Sequence, residues 1–168
     1  MNEVLWRGTS SNRLLAYFIV ALAAVLSILV IFTNQYAAPE KQIQGGAWFG
    51  FYTVMVILPI VGIVFSRLEV IVRTDGVVVG FGPTGFPKSF IDYNNVVKVT
   101  TLYVRPTEWG GWGYRWVPWR KATAAVMHAG EGLKFNFANG KQFVVTVDDT
   151  NAAMDAIRKA MDALPPSN

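Results

Sequence analysis

LLAYFIVALAAVLSILVIF, residues 14–32, runs for 19 positions without a charge or a histidine. A helix needs about 20 apolar residues to cross the hydrocarbon core of a bilayer, so this run reads as a membrane span. The rival reading is a cleaved signal peptide. That needs an apolar core of about 7–15 residues and a small-x-small cleavage site. This run is longer, and Gln35, Tyr36 and Ala37 make a poor site.

A second run, AWFGFYTVMVILPIVGIVF, residues 47–65, is also uncharged over 19 positions. Trp48 and Tyr52 stand at its start, where interfacial aromatics belong. Pro59 removes one backbone donor and is expected to kink the helix. Small residues four apart, Ala23 with Ser27 and Gly46 with Gly50, suit close helix approach. Residues 33–46 between the runs form a polar loop, and residues 1–13 a short polar lead. Arg7 and Arg13 precede the pair and Arg67 and Arg73 follow it, while the loop holds only Lys41, beside Glu40. Basic residues stay on the cytoplasmic side, so both termini are expected there. No ionisable group lies inside either run, which argues against an ion path, a proton relay or intramembrane hydrolysis. The composition agrees with membrane residence: 52% of residues are hydrophobic and 15% charged, against about a quarter charged in soluble domains. There is no cysteine, which excludes disulfides and thiolate chemistry.

From residue 66 onward the pattern turns from helical to alternating. Strands are expected at 68–73, 77–81, 88–91, 96–104, 122–128, 133–137 and 142–147. Asp75-Gly76 and Asn139-Gly140 supply hairpin turns. One amphipathic helix closes the chain over residues 150–164. Asp148, Asp149 and Thr150 are placed to cap it, Ala153, Met154, Ile157, Ala160, Met161 and Leu164 form its apolar stripe, and Pro165-Pro166 stop it. Seven short antiparallel strands and a helix over about 100 residues make a bent, helix-plugged sheet.

Residues 105–121, RPTEWGGWGYRWVPWRK, hold four of the six tryptophans. Their glycines permit unusual backbone angles, and Pro106 and Pro118 bar a helix interior or a central strand. The stretch reads as a structured loop. Arg105, Trp109, Trp112, Tyr114, Arg115, Trp116, Trp119, Arg120 and Lys121 are its candidate membrane- or partner-contact residues. Three readings stay open. Rings pack on the sheet edge while Arg115 pairs with Glu108 or a strand carboxylate. Alternatively, Trp109 and Trp112 rest in the lipid interface with the cations on anionic lipid. In the third, the loop is a protein-binding hot spot. Stacking on nucleic acid is not expected, because residues 66–168 carry twelve cations against nine carboxylates.

An enzyme reading finds little support. His128 is the only histidine, a metal site needs more nitrogen or sulfur ligands, and Asp148-Asp149 precede a helix as a cap would. Gly80-Phe81-Gly82 with Gly85 lacks the Lys-Ser/Thr ending of a phosphate-binding loop. No catalytic, cofactor or metal residue is assigned.

The pieces FGPTGFPKSFI (81–91), VRPTEWGGWGYRW (104–116) and LKFNFANGKQFVVTVDD (133–149) resemble short bacterial membrane proteins of the actinobacterial type. These carry two N-terminal transmembrane helices and a cytoplasmic pleckstrin-homology-like (PH-like) domain, and are mostly uncharacterised. The resemblance covers residues 67–164. It implies seven strands in two near-orthogonal sheets with a capping C-terminal helix, and a place at the bacterial plasma membrane, but no activity. Lipid-reading members of the wider fold cluster cations in the first hairpin turn. Here that turn is Thr74-Asp75-Gly76, with Arg73 alone nearby, so head-group binding in that mode is not expected. The expectation is a non-enzymatic docking or scaffolding module for a protein partner, a second copy or a lipid surface. The alternatives are an accessory subunit of a larger respiratory or envelope complex, and an enzyme or transporter component with an unrecognised site.

Overall fold

The computed structural model describes residues 3–39, 42–43 and 45–164. The expected helix stop at Pro165-Pro166 and the Glu40-Lys41 loop charges lie outside them. The chain divides into two compact units: residues 13–66, and residues 1–12 together with 67–168.

The helical unit is a pair, α1 (Arg13–Gln35) and α2 (Gly46–Val64). Both are long and apolar enough to cross a membrane, and only 6% of each apolar window is buried within the protein. A core helix of a soluble protein would bury far more of that surface. α2 runs through Pro59 as one helix. Close approach of the two helices occurs at Gly62, where a side chain would meet Ile19 at 3.2 Å, and Ala23 is buried. The expected small-residue contact at Gly46 and Gly50 does not form, since both face open space. Trp48 and Tyr52 stack with ring centroids 5.5 Å apart.

The second unit is mainly β. Its first sheet has the order β1-β2-β3-β4, formed by Val4–Ser11, Arg67–Arg73, Gly76–Phe81 and Lys88–Asp92. Its second has the order β5-β8-β9-β7-β6. These strands are Val96–Val104 (β5), Gly113–Val117 (β6), Ala122–Val126 (β7), Gly130–Phe137 (β8) and Gln142–Thr146 (β9). Helix α3 (Thr150–Asp162) follows. All seven expected strands are present, and among the described residues there are two more.

The first addition is β1. The polar lead is a strand, paired antiparallel with β2 from Val4↔Arg73 to Ser11↔Arg67. The helix pair is therefore inserted between two neighbouring strands of one sheet. Asn12 alone separates β1 from α1, and Phe65-Ser66 separate α2 from β2. Ser10 is buried and its hydroxyl donates to Asp148 Oδ1 at 2.9 Å. The second addition is β6, which turns part of the expected Trp/Gly loop into an edge strand antiparallel to β7. The sheets are also not wholly antiparallel, because β7 runs parallel to β9.

Strand β3 is buried at all six positions, which explains its unbroken Val77-Val78-Val79 run. Loop residue Gly85 folds over it, its carbonyl oxygen 2.8 Å from where a Gly80 Cβ would stand. Leu68, Phe81, Ile91, Leu133 and Phe135 are fully buried between the elements, each contributing about 1.5–3 kcal/mol of apolar transfer. Ala153, Ile157 and Ala160 form the buried stripe of α3. Asp149 caps the helix, its side chain accepting from Ala152 N.

Candidate functional site

The chain from Arg105 to Lys121 leaves β5, makes a 3-10 turn (Pro106–Trp109), forms β6, makes a second 3-10 turn (Pro118–Arg120) and enters β7. Pro106 opens the first turn and Gly110, at φ 81°, ends it in the left-handed region that glycine occupies freely. The reversal drives Trp109 onto the outer face of the second sheet. There it joins a cluster of Val104, Val117, Ala122, Ala124, Val126 and Val144. Alanines on β7 leave the space that the indole fills. Trp109 is 2% exposed, whereas Trp112, Trp116 and Trp119 are 52%, 66% and 70% exposed. Trp109 is therefore a core residue, and its expected place in a lipid or partner interface is corrected. The other three rings remain at the surface.

Charged side chains lie over this fold-back. Arg120 lies over the Trp109 ring, 4.6 Å from its centroid. Glu108 takes Arg105 and Arg120, each at 3.8 Å. Arg115 does not pair with Glu108 or a strand carboxylate; its guanidinium donates to the carbonyls of Gly110 and Trp112. A side chain at Gly111 (φ 109°) would stand 3.2 Å from Arg115 Nη1. Carbonyls satisfy guanidinium donors without cancelling the charge, so the loop keeps its positive character.

Tyr114 and Trp116 lie on the opposite face of β6 from Arg115. Tyr114 bonds Ser89 of β4 through its hydroxyl at 2.9 Å, and its ring meets Phe81 edge-on with centroids 5.9 Å apart. The two sheets are thus pinned at the edges formed by β4 and β6. Lys121 ends the second 3-10 turn at φ 48°. Among the described residues it is the only non-glycine residue with positive φ.

Arg115, His128 and Glu131 each hold partners of their own. His128 Nε2 lies 2.9 Å from Asp148 Oδ1, the oxygen that also receives Ser10. Glu131 accepts from the Thr150 hydroxyl. Arg115 is held by loop carbonyls. Among the described residues no group of three His, Cys, Asp or Glu side chains could hold a metal ion. Asp148, expected as a cap, instead ties β1 to the turn after β7, while Asp149 alone caps α3. Tyr93 is buried, and burial, followed by the Asp75 carboxylate, pushes its ionisation well above the usual phenol range.

Comparison of the chain with protein-family models, with curated proteins and with solved structures gives no match. The functional reading therefore rests on this geometry.

Proposed function

We propose that the protein is a membrane-anchored, non-enzymatic docking module of the PH-like kind. Its β unit works at the cytoplasmic face of a bacterial plasma membrane and engages a protein partner or a lipid surface through residues 112–121. The observation that carries the reading is the solvent exposure of Trp112, Trp116 and Trp119 beside Arg105, Arg120 and Lys121. Exposed tryptophan is costly in water, and Trp with Arg is the composition of binding hot spots and of membrane interfaces. Only Trp109 is needed to fill the core, so core packing does not account for the other three rings.

Two features of the topology support the placement. A β1–β2 ladder cannot straddle a bilayer, because its backbone pairs would have to cross hydrocarbon. If α1 and α2 span the membrane, both flanking strands then lie on one side, as the arginine distribution indicates. The connectors are also only one and two residues long, so the chain passes almost directly from each strand into an apolar helix.

The PH-like reading gains support when the β6–β7 hairpin is set aside. What remains is a four-stranded antiparallel sheet, a β5-β8-β9 antiparallel meander and a C-terminal helix. On this reading the seven core strands are β1–β5, β8 and β9, a different set from the expected seven, which began at β2 and included β7. The helix pair and the β6–β7 hairpin are insertions.

A photocrosslinking residue placed at Trp119 or Trp112 of the full chain in native membranes tests the docking role. The reading predicts light-dependent adducts to a discrete protein or to lipid, in excess of those formed from exposed position Asp162 on α3. Adducts no more frequent than from Asp162 would overturn it.

A further inference from the structure

The β6–β7 hairpin also builds a groove of about 350 Å³ that the surface tryptophans alone do not explain. Its apolar lining comes from Phe90 on β4, Trp116 on β6, Phe137 at the end of β8 and Phe143 on β9. Phe143 is buried and forms the floor, while Phe90 and Trp116 stand exposed as walls. Backbone bonds fix the frame. Gln142 N donates to the Lys121 carbonyl and Ala138 N to the Asn95 carbonyl, each at 3.1 Å. A trough held this way is formed before anything binds, which lowers the ordering cost of binding.

The polar lining is rich in donors. Lys121 and Lys141 contribute ammonium groups, and Asn95, Asn139 and Gln142 contribute amides. Among the described residues neither lysine has an ion-pair partner. Asp92 is the only carboxylate in the lining, and its Oδ1 already accepts from Asn94 N and Nδ2. Lys121 carries a second observation. It holds a left-handed conformation that glycine would adopt without strain. Strained non-glycine residues of this kind cluster at ligand clamps.

We infer that this groove takes an acidic, extended segment of a partner protein. An apolar or aromatic side chain of the segment lies in the trough, and its flanking carboxylates meet Lys121 and Lys141. The inference deepens the docking reading and rests on it. Carboxylates match the two lysines of the lining, and the aromatic walls suit a side chain presented by an extended backbone.

The test uses the full chain in a neutral detergent and fluorescence anisotropy. The probe is a fluorescein-labelled hexapeptide pool with Asp or Glu at four positions and Phe, Trp, Leu or Ile at two. A second pool carries Lys or Arg in place of the acids. The acidic pool binds the wild-type chain and the basic pool does not. Lys121→Gly with Lys141→Glu weakens binding by about tenfold or more, the scale of removing two close charge contacts, and Trp116→Ala weakens it comparably. Tyr103→Ala, which removes an exposed ring of β5 outside the groove, leaves it unchanged. Lys121→Gly by itself raises the unfolding midpoint while lowering affinity, a combination that a purely structural Lys121 does not produce.

Equal binding of the two pools, no binding of the acidic pool, or unchanged affinity in the lysine and Trp116 variants overturns the inference. So does a lysine-variant defect confined to bilayers containing phosphatidylglycerol, which assigns these cations to lipid. If the acidic pool fails while position 119 still crosslinks a discrete protein, the groove assignment falls and the docking reading stands.

Discussion

Trp109→Ala removes the largest side chain covering the outer face of the second sheet. Trp109 is 2% exposed and packs in a cluster of valines and alanines with Leu102 at its margin, none of them large enough to replace an indole. Truncating a fully buried Trp costs about 3–5 kcal/mol when the site cannot collapse. The lost Arg120 contact adds about 0.5–1 kcal/mol. Against a typical domain stability of about 5–15 kcal/mol, the variant keeps its fold with little margin. The assay is urea unfolding of the full chain in mild detergent, read by pulse proteolysis of the β unit. With a slope of about 2 kcal/mol per molar urea, the midpoint falls by roughly 1.5–3 M. Trp119→Ala is the control, since that ring is exposed, and surface substitutions usually stay within about 0.5 kcal/mol. Equal midpoint shifts for the two variants would refute the assignment of Trp109 as the plug and reopen its place at an interface.

Three further outcomes follow from the β unit. Tyr93 holds its proton more tightly folded than unfolded, so its stabilisation is full below the usual phenol value near pH 10 and is lost as pH rises beyond it. Tyr93→Phe should flatten that alkaline loss in a pH series of unfolding midpoints. Its hydroxyl has no hydrogen-bond partner among the described residues, so the substitution should cost nothing at pH 8; a clear drop there would mean the hydroxyl is bonded. Asp149→Ala removes the acceptor for Ala152 N and should lower stability by about 1 kcal/mol, with an unchanged midpoint counting against the cap. A fragment beginning at Arg67 lacks β1 and leaves the β2 edge unpaired, so it should aggregate. Joining residues 3–12 to Arg67 through about 2–5 Gly/Ser residues should give a soluble, β-rich monomer by circular dichroism, and equal solubility of the two fragments would contradict the role of β1.

The parts of the fold legible in the sequence were those with strong local patterns. Two uncharged runs, the alternation from Leu68 onward, the Asn139-Gly140 turn and the stripe from Ala153 to Ala160 all became the elements they suggest. β1 was not legible, because residues 4–11 carry Arg7, Gly8 and three hydroxyl residues. Its partner β2 lies more than fifty residues away, beyond two apolar helices. Pairing across such an insertion leaves no local trace. β6 was hidden by its glycines and by the prolines that flank it. The parallel β7–β9 pairing depends on tertiary order alone.

At the site, sequence marked residues 105–121 as unusual and could not rank its tryptophans. Trp109 and Trp112 are alike as neighbours of glycine. Only the reversal at Gly110 sends one inward and leaves the other outside. The groove was missed because Phe90, Phe137, Phe143 and Lys141 are ordinary strand and turn residues until the β6–β7 hairpin brings Trp116 and Lys121 beside them. The left-handed Lys121 has one faint sequence mark, its place just after a Pro-Trp-Arg turn.

The central claim is that a membrane helix pair interrupts a β unit whose two pieces lie on one side. The chain has no cysteine, so single cysteines at Val4, Gln42 and Asn139 can each be labelled without background in intact cells and in inverted vesicles. The account predicts that Val4→Cys and Asn139→Cys react with an impermeant thiol reagent only from the cytoplasmic side, and Gln42→Cys only from the opposite side. Labelling of Val4→Cys and Asn139→Cys from different sides would contradict the β1–β2 pairing in the membrane. Labelling of all three from one side would contradict the spans.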